Sequence, residues 1–447
     1  MSSVGALSVS GLDLKTLLSI VRNWKFAAPC AVVTLAGVWV TLKDWSLYSK
    51  YRGKNLPPVY NKGLILPFIG AAAQFLWDPL AMGKRGHAVY GDIFTVYVFG
   101  KRLTFVCGPK AQEQFCKSSD EDLSQQDAYK FSVPLFGEGV IYGAEPERRA
   151  EQIKLVTSSL HTTALANYVP MMLQETEAYF SKWGNEGTTD IYTALSELII
   201  LTASRCLMGH EVREQLYEEV AKLYAQLDKG CTPISFFAPH LPIPAHINRD
   251  KARNAMVKVF KKIIEDRRRD GRVEKDVLQI FMDAKFKDGT SPTVEIVTGL
   301  MICLLFAGQH TSSVTSSWTG LFLLEGARQG GPANLLPELI KEQVASGPLD
   351  HRAIRESMPL LHASLLEALR LRPPLIFLMR SAMIDIDIQG LTIPQGDTIF
   401  LSPVFSGQRS DVFSAPTEAF DPRRFLEPRN EHLKFSHGWV GFGGGRD

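Results

Sequence analysis

The chain has 447 residues, 45% of them hydrophobic and 21% charged, with a net charge of +2. That composition is globular and supports a large apolar core. A balance so near zero, without a basic stripe, argues against a general grip on nucleic acid; the densest basic run, Glu265 to Arg272, reads as a solvated helix end. The six cysteines form no CxxC pair and sit mostly among apolar neighbours, which fits reduced thiols in a cytosol-facing domain rather than a disulfide framework.

From the N-terminus, Leu12, Leu14, Leu17, Leu18 and Val21 suit an amphipathic helix. Phe26 to Leu42 then runs seventeen residues without a charge. A spanning helix needs about 20, with a lower limit near 17. Trp24, Trp39 and Trp45 lie near its ends, where interfacial aromatics are favoured. The long lead-in and the lack of a clear cleavage site favour a retained anchor over a signal peptide. Lys43, Lys50, Arg52 and Lys54 follow it, so the positive-inside bias leans toward a cytoplasmic main domain.

Leu56 to Gly70 is rich in proline and glycine and reads as a stiff linker. Ile93 to Phe99 and Arg102 to Cys107 are β-rich runs around Gly100-Lys101, a hairpin signal. From about 145 to 370 the pattern is mostly helical, with glycine- and proline-marked breaks. Pro292 to about Ala327 predicts one long helix, N-capped by Ser291 and apolar all round at "GLMICLLF". "AGQHTSS", Ala307 to Ser313, interrupts it with a glycine and hydroxyls able to bond back and bend the helix. After residue 373, "MIDIDIQGLTIPQGDTIFLSP" alternates and turns at Gln389-Gly390, as a small sheet does. The fold class is mainly α with small β-sheets near both ends of the sequence (α+β).

The ExxR spacing of Glu367 and Arg370 recurs at Glu145/Arg148, Glu265/Arg268 and Glu325/Arg328, so spacing alone says little. Only Glu367 and Arg370 stand among six leucines, which predicts a buried pair in search of further partners. Arg424, in "FDPRRF", is a candidate, and "GFGGGR" follows.

In that order and spacing, "AGQHTSS", "EALR", "PRRF" and "FGGGR", behind an anchor and a proline-rich hinge, resemble the cytochrome P-450 superfamily over residues 56–447. "AGQHTSS", with His310 where most members carry an acid, and "YKFSVPLFGEGVIY", Tyr129 to Tyr142, resemble the sterol 14α-demethylase family within it. The resemblance implies the cytochrome P-450 fold, with an N-terminal segment and anchor over 1–45, a linker over 46–70 and a catalytic domain over 71–447. It implies haem b, electrons from NADPH through a cytochrome P-450 reductase, a sterol substrate, and a monomer held at the endoplasmic reticulum membrane.

The same resemblance assigns Thr311 to the oxygen network and His310 to proton entry, and Tyr129, Tyr142, Arg380, Phe442, Gly443 and Gly445 to the haem surroundings. It makes Glu367, Arg370 and Arg424 a structural triad. Phe131, Leu135, Phe136, Phe236, Met301, Phe306, Ala307 and Phe377 are candidates for the apolar sterol cavity. Phe131 implies a preference for sterols with one C4 methyl, such as obtusifoliol, where leucine goes with lanosterol. The family's haem cysteine lies seven residues after Phe442, two beyond Asp447, and Asp447 stands where the family has a histidine. The chain as written is therefore expected to lack the thiolate and to be inactive. A haem-thiolate isomerase or dehydratase, and a lipid-binding member without catalysis, are the rival functions.

Overall fold

The computed structural model describes residues 71–444, residues 49–60 and scattered positions between 31 and 47. The apolar run Phe26 to Leu42 and the second half of the linker lie largely outside the described residues. The described part of the linker is stitched to the domain. Thr392 N–H donates to Asn55 O at 2.7 Å, and Val59 bridges Thr95.

The first hairpin is β1 (Ile93–Val98) and β2 (Lys101–Val106), antiparallel. Its reversal sits at Phe99-Gly100, both left-handed (φ 48° and 74°), one residue earlier than the pattern predicts. The other strands are β3 (Leu123–Ser124), β4 (Leu378–Ala382), β5 (Ile386–Ile388), β6 (Leu391–Ile393) and β7 (Thr398–Leu401).

Strands from the two ends of the chain do not form separate sheets, which corrects the sequence reading. Five of them make one sheet in the order β1-β2-β7-β4-β3; β5 and β6 form the hairpin turning at Gln389-Gly390. The cause is burial, since β2 is buried on both faces and gains a strand on each edge, β1 on one and β7 on the other. β7 pairs parallel to β2, and Asp397 fastens them by accepting from Arg102 Nε and Thr104 Oγ1, each at 2.8 Å.

Five helices position the site: α1 (Pro146–Ser159), α2 (Tyr217–Lys229), α3 (Pro244–Asp270), α4 (Val294–Gln329) and α5 (Pro359–Leu371). α4 begins at Val294, capped by Thr293, whose hydroxyl accepts from Ile296 N–H at 3.3 Å. Ser291 is not the cap, because the helix starts two residues later than Pro292 and Thr293 supplies the capping hydroxyl. Helix and loop touch at Gly299, where an added Cβ would lie 2.4 Å from the Phe136 carbonyl.

Through "AGQHTSS" α4 stays unbroken; Thr311 and Ser313 satisfy their hydroxyls on the Ala307 and Gln309 carbonyls one turn earlier. The basic end of α3 is only partly solvated. Arg267 is fully buried, 2.7 Å from Glu211 and from Asp276, whereas Arg268 and Arg269 are exposed.

Candidate functional site

Ala307 and Gly308 are exposed in the middle of α4, the helix that otherwise crosses the core. An added Cβ on Gly308 would meet nothing within 4 Å. One turn on, Thr311 opens onto a cavity of about 320 Å³, bounded opposite by Leu365, Leu378 and the Gly441 to Gly443 loop. Phe442 is 75% exposed. A large apolar side chain and a bare helix face across an open space are unfavourable unless something flat and apolar lies between them. The Thr311 hydroxyl donates to Ala307 O at 2.6 Å and keeps its lone pairs for another donor.

His310, next to Thr311, points to α2. Its Nε2 lies 2.8 Å from Asp228 Oδ1, and both side chains are about two-fifths exposed. The hydrogen bond with Asp228 raises the imidazole pKa above its ordinary value, against a smaller opposing effect of burial. A histidine so placed can carry a proton near neutral pH. Asp228 carries no motif in the sequence. It lies 82 residues from His310, and only the packing of α2 beside α4 brings them together.

A wall of aromatic rings lies alongside. Tyr129 and Tyr142 stack at 5.1 Å, Tyr129 meets Phe131 at 6.0 Å, and Phe131 meets Phe236 edge-on at 5.5 Å. Burial raises the pKa of both tyrosines, so they stay neutral. Phe131 and Phe236 also line a larger space of about 540 Å³ with Lys101, whose ammonium sits 4.7 Å from the Phe236 ring centre. Phe136 packs edge-on to Phe306 at 6.2 Å.

The other predicted cavity residues are placed differently. Leu135 and Met301 are buried in the core cluster around α4, Met301 completely, so they back the wall. Phe377 turns to the sheet, 5.5 Å from Phe105 and 5.4 Å from Phe400. Arg380 donates to Ser118 O at 2.9 Å and stacks over Phe115. Gly445 lies outside the described residues.

Below the cavity, Glu367 and Arg370 on α5 form a two-pronged pair at 2.6 and 2.7 Å, both fully buried. Arg370 also donates to Gly407 O and Thr417 O. Arg424 Nε lies 3.3 Å from Glu367 Oε1, and its other nitrogens hold the Ser414 and Pro416 carbonyls. Burial raises the Glu367 pKa, with the two arginines and the Asp421 N–H pulling against it.

Residues 62–446 match the sequence profile described as Cytochrome P450. The chain belongs to the cytochrome P450 family. This P450 is 43% identical to a protein of Arabidopsis thaliana named sterol 14-demethylase, over 89% of this chain and 82% of the relative. It is 42% identical to an obtusifoliol 14-alpha demethylase of Triticum aestivum, over 85% and 84% of the two chains. It is 36% identical to a lanosterol 14-alpha demethylase of Mus musculus, over 88% and 77%. Among solved structures, the retinoic-acid-bound cyanobacterial CYP120A1 superposes with a TM-score of 0.74 at 24% identity, over 88% and 87%, and shares the fold.

The family implies haem iron, and the residues present fit it. Thr311, Leu365, Leu369, Leu375 and the glycine loop frame a slot that suits a flat macrocycle, and the bare Ala307-Gly308 step lies one turn before Thr311 on α4. Gly443 takes φ 82°, which favours glycine, and an added Cβ there would meet Leu378 at 3.7 Å. Among the described residues no cysteine lines the slot; the Gly441 to Gly444 loop is the one that the family resemblance assigns to the thiolate.

Arg149 is a site residue that sequence reasoning left unassigned. It is buried, binds Asp120 at 2.7 Å and sits 5.9 Å from the Tyr142 ring centre. Its neighbour Arg148, equally basic in sequence, faces outward to Glu151 and Asp288.

Proposed function

We propose that this P450 is a sterol 14α-demethylase, a monooxygenase that removes the 14α-methyl group of a sterol precursor by three successive oxidations, releasing it as formate. The observation that carries the reading is Thr311 lining an open cavity next in sequence to the His310–Asp228 pair, in a chain 36–43% identical to proteins named for this reaction. Bound through a thiolate, haem supplies the oxidising chemistry and favours O–O cleavage. The chain's own residues do the rest. The ring pairs Phe131–Phe236 and Phe136–Phe306 offer apolar surface that suits a hydrocarbon body. Thr311 Oγ1 orders hydrogen bonds on the slot side of α4, and His310 holds a proton at Nε2 against Asp228. Tyr129, Tyr142 and Arg380 border the porphyrin edge.

NADPH supplies electrons through a membrane-bound cytochrome P-450 reductase. Residues 1–45 anchor the protein as a single pass in the endoplasmic reticulum membrane, residues 46–70 link it, and the monomeric catalytic domain faces the cytoplasm. Phe131 narrows the wall and favours sterols with one C4 methyl.

The test is turnover by the intact protein, haem cysteine included, in lipid nanodiscs with reductase, NADPH and either obtusifoliol or lanosterol. The reading expects the demethylated sterol and formate, with obtusifoliol faster. Conversion of a sterol without NADPH would instead favour an isomerase, and sterol binding with no conversion a carrier.

A further inference from the structure

Tyr224 lies one turn before Asp228 on α2, so the two side chains share a face. Its ring is held at 4.9 Å from Phe306 and 6.3 Å from His310. The residue is 6% exposed, and its hydroxyl is fully buried with no hydrogen-bond partner among the described residues. Leaving a buried hydroxyl unbonded is costly, and such groups mark a second arrangement or a task. The titratable groups that act on it are Asp228 on its own helix, Cys231 just beyond, and Tyr192 on the neighbouring helix Ile191–Ala203. His310 faces Asp228 from α4. Asp228 is the charged acceptor in this group, and its Oδ1 is occupied by His310.

The His310–Asp228 bond poses a problem for a relay. Nε2 is tied to Asp228 and His310 does not line the slot, so passing the Nε2 proton toward Thr311 requires that bond to open. The carboxylate left behind, about two-fifths exposed, is then open to water or to a neighbouring donor. We propose that the Tyr224 hydroxyl is that donor: it takes the Asp228 carboxylate when His310 turns toward Thr311, and gives it back when His310 returns. Only hydrogen bonds change in this exchange. Tyr224 is a positioning residue, acting through Asp228 and His310, and the inference rests on the proposed monooxygenase reading.

Tyr224→Phe keeps the ring against Phe306 and removes only the hydroxyl. Without its competitor, Asp228 holds His310 more tightly. The His310 imidazole midpoint, followed by NMR on the purified protein, should rise by about 0.5 pH unit. In nanodiscs with reductase, demethylated product per NADPH consumed should fall about threefold while sterol affinity holds. In an Asp228→Asn background the same substitution should change neither quantity, which separates this role from packing. An unchanged or lowered midpoint in Tyr224→Phe, or an equal effect without Asp228, overturns the inference and leaves demethylation standing. Absence of demethylation by the parent protein overturns the underlying reading instead.

Discussion

Glu367 and Arg370 meet in a two-pronged ion pair from which water is wholly excluded, and Arg424 closes it from the far side of the chain. Two charges so deep in the core repay their desolvation only when every hydrogen-bonding group is matched. Here Arg370 reaches three carbonyls beyond Glu367, those of Gly407, Thr417 and Ala419, and Glu367 also accepts from the Asp421 N–H at 2.9 Å. The group therefore clamps α5 to the segment that leads into the glycine loop.

Glu367→Gln leaves two arginines facing a neutral partner. Loss of one member of a buried pair costs about 3–5 kcal/mol. The variant should show a lower urea midpoint or fail to accumulate as folded protein. Glu325→Gln, at the same ExxR spacing but on an exposed pair, should stay within about 0.5 kcal/mol of the parent.

The His310–Asp228 pair predicts a pH window. The folded pKa of His310 lies above its unfolded value. Any stability from the pair is therefore fully present below about 6.5, the unfolded value, and is lost as pH rises through the folded midpoint. NMR titration should place the His310 midpoint above 6.5 in the parent and close to it in Asp228→Asn. Equal midpoints would show that the pair does not form in solution.

Phe131 meets Phe236 edge-on and fills the wall beside Tyr129. Phe131→Leu removes ring volume there without adding polarity. The ratio of kcat/KM for obtusifoliol to that for lanosterol should fall about tenfold, the scale of ~1–3 kcal/mol that a hydrophobic pocket can discriminate. A ratio unchanged by the substitution would place the selection elsewhere.

Gly299 is required by contact. A Cβ there would meet the Phe136 carbonyl at 2.4 Å and the Val140 side chain at 2.6 Å. Gly299→Ala should destabilise by about 1–3 kcal/mol, since backbone cannot yield as a flexible side chain can. It should also displace the loop carrying Phe136, so thermal unfolding and sterol affinity should worsen together.

Acid stability should track Glu431. Burial opposes its charge, but the Ser414 hydroxyl and N–H, with Arg429 and Arg424, outweigh that and bring it to about 2. Its contribution is present above the ordinary carboxyl value and is lost as pH falls through about 2. Glu431→Gln should unfold at higher pH than the parent in an acid titration followed by circular dichroism.

Much of this protein was legible in its sequence because local rules carried it. Alternation and the Gln389-Gly390 turn placed one hairpin, and a stretch apolar all round placed the long core helix that carries "AGQHTSS". Leucines around Glu367 and Arg370 told a buried pair from three look-alikes: Glu325/Arg328 is exposed, and Arg148 pairs with Glu151 and Asp288 rather than Glu145.

Only the tertiary structure decided what depends on elements distant in the chain. The joining of β2 to β7, the burial of Arg267, the inward turn of Arg149 and the Asp228 partner of His310 have no local signature. Each is set by which helix or strand lies alongside. That choice is made by the burial of whole apolar faces, and the polar groups then take the partners those faces bring within reach.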